Sequence, residues 1–78
     1  MDRIRIRNEV EKELERAREK FPFWPHDMVH AAAIVGEEAG ELLQAALQYH
    51  FEEKETLDDC DHEAIQTMAM CIRFLEGK

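Results

Sequence analysis

Disulfides, strands and membrane spans are all poorly provided for in this chain of 78 residues. Its two cysteines, Cys60 and Cys71, fall in what reads as one helix, about 16 Å apart along the axis and beyond the reach of an S–S bond. Unpaired thiols point to a reducing, cytoplasmic compartment. Only three glycines and two prolines punctuate the sequence, and no alternating β-branched run lies between turn residues, so a sheet is not expected. The longest apolar stretch, residues 28–47, has glutamates at its centre, which argues against insertion into a bilayer. The opening MDRIRIRNEVEKELER is charged throughout and has no signal-like apolar run, so a soluble protein is expected. Basic residues are the remaining shortage: 10 Lys and Arg stand against 18 Asp and Glu, for a net charge of −8. Residues 26–78 hold only three of the basic residues and twelve of the acidic ones. Such a surface repels nucleic-acid backbones. It also repels phosphorylated ligands, unless divalent cations neutralise the acids first.

What remains is helix. Residues from about Ile4 to Lys20 place Ile6, Val10, Leu14, Ala17 and Phe21 on one stripe, with Glu9, Glu11, Glu13, Glu15, Glu19, Lys12, Arg16 and Arg18 read as the solvated side. The start lies at Asp2, or at Asn8 with Glu11 completing a capping box. FPFWPHD then breaks the helix, with Pro25 suited to the first turn of the next one and Asp27 favourable beside its dipole. Phe21, Phe23 and Trp24 either close one end of a small core or offer a planar ligand a stacking surface. A second helix runs from about His26 to Glu53 and a third from about Leu57 to Leu75, with Thr56 as N-cap, Asp59 three residues on and Gly77 as the stop. The expected fold is a single all-α domain: a short N-terminal helix and a long antiparallel helical hairpin. A chain this small buries only about 60% of its unfolded surface, so metal or oligomerisation usually supplements its core.

The informative conflict lies in MVHAAAIVGEEAGELLQAAL, residues 28–47. Thirteen of its twenty residues are apolar, yet Glu37, Glu38 and Glu41 sit together in the middle. With Ile34 at zero, Glu38 falls at about +40°, Glu41 at about −20° and Glu37 at about −60° on a helical wheel, all in one sector. Carboxylates in an apolar stripe are paired or hold a metal. On the third helix Asp59, Glu63 and Gln66 share a face, and the turn leaves Glu41 and Glu63 at similar distances from it, so the two faces can meet. Oxygen ligands converging from two helices suit Mg²⁺ or Mn²⁺. Zinc fits less well, because His30, His50 and His62 share no ligand spacing with a cysteine, although His30 lies along the glutamate stripe. The competing arrangement is an oligomer seam in which these acids meet Arg or Lys. Gly36 and Gly40 allow either a close helix approach or clearance for a ligand.

On these residues the chain resembles the MazG-like all-α nucleoside triphosphate pyrophosphohydrolases, in particular small phage-type members. That family gathers Mg²⁺ with EExxE on one helix and ExxD on the next. The first part stands complete as Glu37-Glu38-Ala39-Gly40-Glu41, and the second as Glu63-Ala64-Ile65-Gln66, with Gln66 where Asp is usual. The flanking FPFWPHDMVHAAAIV and EAIQTMAMCIRFLE are similar as well, and the likeness spans about residues 10–76. It implies hydrolysis of a nucleoside triphosphate to a monophosphate and pyrophosphate. Glu38, Glu41, Glu63 and Gln66 are then the metal contacts, and Glu37 is a further ligand or the base that orients water. Trp24, Phe23 or His30 recognises the base. Gln66 removes one negative charge, weakening the hold on metal, which Asp59 or a residue from a partner subunit can offset. Many members carry a fourth helix; a three-helix chain implies a homodimer or homotetramer in which two hairpins complete a four-helix bundle. The rival reading is a non-catalytic dimerisation module that keeps a metal as a staple.

Overall fold

Each helix begins where a side chain supplies the missing hydrogen-bond acceptor. In the computed structural model, which describes residues 1–77, Asp2 Oδ1 accepts from the Arg5 amide at 2.9 Å and starts helix α1 (Arg3–Lys20). Asp2, not Asn8, is therefore the cap. Asp27 Oδ1 accepts from the Val29 and His30 amides at 2.8 and 3.1 Å and starts α2 (Met28–Leu47). Pro25 consequently lies outside α2, two residues before its cap, where the sequence suggested its first turn. Thr56 and Asp59 form the anticipated capping box at the head of α3 (Leu57–Glu76), each side chain accepting from the other's amide.

The expected single helix from His26 to Glu53 is interrupted. After Leu47 the backbone widens into a π-helical turn, Gln48–Glu52, and Glu53 closes it in the left-handed region at φ 55°. Its amide donates back to the Gln48 carbonyl. A left-handed non-glycine residue costs roughly 1–2 kcal/mol, a local strain that turns the chain toward α3.

Helix α3 lies in the middle, packed along α2 on one side and α1 on the other, while α1 and α2 scarcely touch. That order leaves a trough between α1 and α2 floored by α3. The core is small: Leu14, Ala17, Ala69 and Met70 are buried together, with Trp24, Ile34, Val35 and Ile72 half-buried against them. Val10, Leu14 and Ala17 bear out the apolar stripe of α1, but Phe21 and Phe23 do not close the core; they stand 59% and 91% exposed. Trp24 alone of the connector aromatics turns inward. Arg73 fixes it there, lying 5.0 Å over the indole ring while donating to the Ala17 and Phe21 carbonyls. Gly77 keeps its αR backbone but is short of room, since a Cβ there would sit 2.8 Å from the indole. Among the described residues no helix is long and apolar enough to cross a membrane.

Candidate metal centre and adjoining cleft

Three of the four proposed metal contacts are carboxylates, and the fold brings these together. Glu38 and Glu41 occupy adjacent turns of α2, Glu63 faces them from α3, and one oxygen of each lies within 4.8 Å of the others. Around an octahedral Mg²⁺ at about 2.1 Å, ligand oxygens sit roughly 3–4.2 Å apart, so small rotamer changes would close the set on an ion. Glu38 and Glu63 are half-buried and Glu41 is exposed, which leaves one open side.

Charge at this position is under strain. Among the described residues, Glu38 Oε2 and Glu63 Oε2 are buried without a hydrogen-bond donor. Burial, and then the neighbouring charges of Glu41 and Glu63, push the Glu38 carboxyl above its ordinary range. Burial also raises Glu63, followed by Glu41, whose carboxyl comes near enough to share a proton; His62 pulls the other way. A buried acceptor left without a donor costs about 1–3 kcal/mol, more when charged. A divalent cation between the oxygens would satisfy both, and hard oxygen donors are the set Mg²⁺ or Mn²⁺ requires. The donor set fits the ion.

Of the triad, Glu38 opens onto the trough between α1 and α2. The trough forms a cleft of about 430 Å³ whose lining includes Trp24, His30, Ile34, Met70, Glu37, Glu38 and Gln66. Every sequence-derived site residue except Glu41 and Glu63 thus borders one cavity, and those two complete the acidic triad beside it. Glu37 is exposed at the cleft, outside the triad. Gln66 lies toward Glu13, whose carboxylate it helps stabilise. Asp59, considered as a compensating ligand, is committed instead to the cap at Thr56.

Two cleft residues escaped the sequence reading. The charge pattern assigns Glu13 and Arg16 to the solvated side of α1, yet Glu13 is 8% exposed and both line the cleft. Arg16 donates through Nε to Glu13 Oε2 at 2.9 Å and through Nη2 to Oε1. That pairing holds the Glu13 carboxyl below its usual value despite burial. The signal was available: with Val10 at zero, Glu13 falls at about −60°, at the margin of the apolar stripe. Arg73, on the hairpin itself, does not neutralise the glutamates; its guanidinium donates to the Ala17 and Phe21 carbonyls. No family model, no curated protein and no solved structure matches this chain.

Proposed function

We propose that this protein is a divalent-metal-dependent nucleoside triphosphate pyrophosphohydrolase of the MazG-like kind, and that it acts as a homo-oligomer. The observation that carries the reading is the meeting of Glu38 and Glu63 from two helices, each with a buried oxygen that has no donor among the described residues, beside a cleft with an aromatic wall. Glu38, Glu41 and Glu63 hold the ion, with Gln66 as a supporting contact. Bound Mg²⁺ or Mn²⁺ supplies neutralisation of phosphate charge and acidification of water. Glu37, exposed at the cleft, orients the attacking water and takes its proton. Attack at the α-phosphorus breaks the α–β bond, leaving a monophosphate and pyrophosphate. Trp24 and His30 border the space for the base.

Self-association has separate support. A monomer of 9.2 kDa is expected to expose about 4,900 Å², whereas this chain exposes 5978 Å². The excess of roughly 1,000 Å² is comparable with the ~800 Å² each partner buries in a standard interface. On α2, Val29, Ala32, Gly36, Gly40, Leu43 and Leu47 share an arc of about 80° opposite Ile34. Val29, Leu43 and Leu47 are 79%, 62% and 48% exposed, and nothing approaches either glycine. A second copy of the hairpin is the occupant of matching length and character. The same surface also favours the rival, a non-catalytic dimerisation module stapled by metal.

Pyrophosphate release, assayed over a panel of NTPs and dNTPs with Mg²⁺ or Mn²⁺, separates the two. The hydrolase should turn over at least one substrate only when metal is present, and Glu41→Gln should cut the rate by about 100-fold or more, the scale of losing charge stabilisation at the reacting centre. Absence of turnover with every substrate and both metals, or a Glu41→Gln variant as active as wild type, leaves the dimerisation module as the better account.

A further inference from the structure

We propose that Arg16 of α1 binds the phosphate chain of the nucleotide, its guanidinium held in place for that contact by Glu13. The assignment depends on the hydrolase reading and extends it to a helix that the metal motif does not include. A triphosphate entering this cleft meets Glu13, Glu37 and Glu38, with Glu41 and Glu63 beside them, and among the described residues Arg16 and Arg73 are the only arginines or lysines in its lining. Arg73 is buried, and both of its terminal nitrogens are turned to backbone carbonyls. Arg16 is different. Its side chain is 51% exposed, and Nε and Nη2 grip Glu13 while Nη1 has no hydrogen bond among the described residues. A guanidinium anchored along one edge keeps donors for an oxyanion.

Stability alone does not account for the pair. An exposed ion pair at this spacing contributes only tenths of a kcal/mol. Here the acid is buried beside Val10, Leu14 and Ala17, where an apolar side chain of similar volume would serve the fold as well or better. What the buried acid does provide is a fixed orientation for the arginine above it. The cleft then presents an apolar wall of Trp24, Ile34 and Met70, an acidic edge suited to cations, and one preoriented guanidinium. That combination matches a base at one end and a metal-bridged polyphosphate at the other.

Calorimetry on the full chain tests this. Wild type, R16M and R16K are titrated with Mn²⁺ alone. At saturating Mn²⁺ they are then titrated with a nucleoside triphosphate carrying a methylene α–β bridge, and with the corresponding monophosphate. R16M should bind Mn²⁺ and the monophosphate within about threefold of wild type but the triphosphate about 10–100-fold more weakly, as expected for a lost charge-assisted contact. R16K should recover part of that loss, since it keeps the charge without the fork. Equal triphosphate binding by R16M, equal weakening of both nucleotides, or loss of Mn²⁺ binding would each overturn the role given to Arg16. Wild type binding the triphosphate while R16M is unaffected removes only Arg16. Wild type binding no triphosphate removes the hydrolase reading and Arg16 together.

Discussion

Glu63→Gln should stabilise the metal-free protein and destabilise it, relative to wild type, once Mn²⁺ is present. The substitution keeps the volume, removes one of three carboxylates lying within 4.8 Å of one another, and gives the donorless position an N–H. Two like charges at about 4.8 Å repel by roughly 0.9 kcal/mol in water and 3.5 kcal/mol at an effective dielectric of 20. Glu41 is exposed, so the relief belongs near the lower figure, about 1 kcal/mol. For a domain of this size that raises Tm by about 4–8 °C. Saturation with metal at a hundred times its Kd adds about 2.7 kcal/mol to wild type, whereas the variant has lost a ligand and gains little. The two melting curves should therefore exchange order between chelator and Mn²⁺. Circular dichroism at one protein concentration reads both. If Glu63→Gln melts lower than wild type in chelator, the cluster is not strained. If both proteins gain equally from Mn²⁺, Glu63 is not a ligand.

Two further outcomes follow from the same charges and surfaces. In chelator, stability should fall as pH rises above about 4.5. Glu38 and Glu63 titrate above their unfolded values, so their stabilising contribution is full below the unfolded value and is lost as pH climbs through the folded one. Glu13, held low by Arg16, contributes in the opposite sense, and its share is lost only as pH falls below the ordinary carboxylate range; thermal melts from pH 4 to 8, repeated with Mn²⁺, should show the decline abolished by metal. Gly40→Leu should leave the helical content intact, because nothing lies within 4 Å of a Cβ there, yet weaken self-association by about tenfold or more by keeping a second helix at a distance. Light scattering over a concentration series checks this, and an unaffected oligomer would exclude that face from the interface.

The parts of this fold legible in the sequence are those decided locally. Asp27, Thr56 and Asp59 announce their helix ends because a short polar side chain can reach an unsatisfied amide only at such positions. The meeting of Glu38, Glu41 and Glu63 was legible as a possibility, since helical angles and distance from the turn allow it before any packing is known. Burial of Glu13 depended instead on how α1 crosses α3, a tertiary choice that the spacing of α1 alone does not encode. Phe21 illustrates the same limit. It continues the stripe of Val10, Leu14 and Ala17 by periodicity, but α1 ends beside it, its amide closes the last turn onto Ala17, and its ring is left in solvent. The π-helical turn at Gln48 gave no signal, because widening one helical turn changes backbone pairing without demanding any particular residue type.

Several choices in this chain make little sense for a lone, metal-free monomer and become coherent when grouped by location. Glu38 and Glu63 bring carboxylates together with Glu41, each with one buried oxygen that has no donor among the described residues, in a domain whose whole stability is of order 0.05–0.15 kcal/mol per residue. Gly36 and Gly40 each cost a helix about 1 kcal/mol relative to alanine, with empty space around both. On α2, Glu38 and Glu41 share the side that meets Glu63 of α3, and the glycines share the side turned away. Random tolerance of destabilising residues would scatter them over both faces. Their segregation to opposite sides of one helix is the pattern the proposed function calls for, with a cation on one side and a second helix on the other. On the proposed function, catalysis and assembly would share the same twenty-residue element, α2, so loosening a contact at the glycines should be felt at the acids directly across the helix.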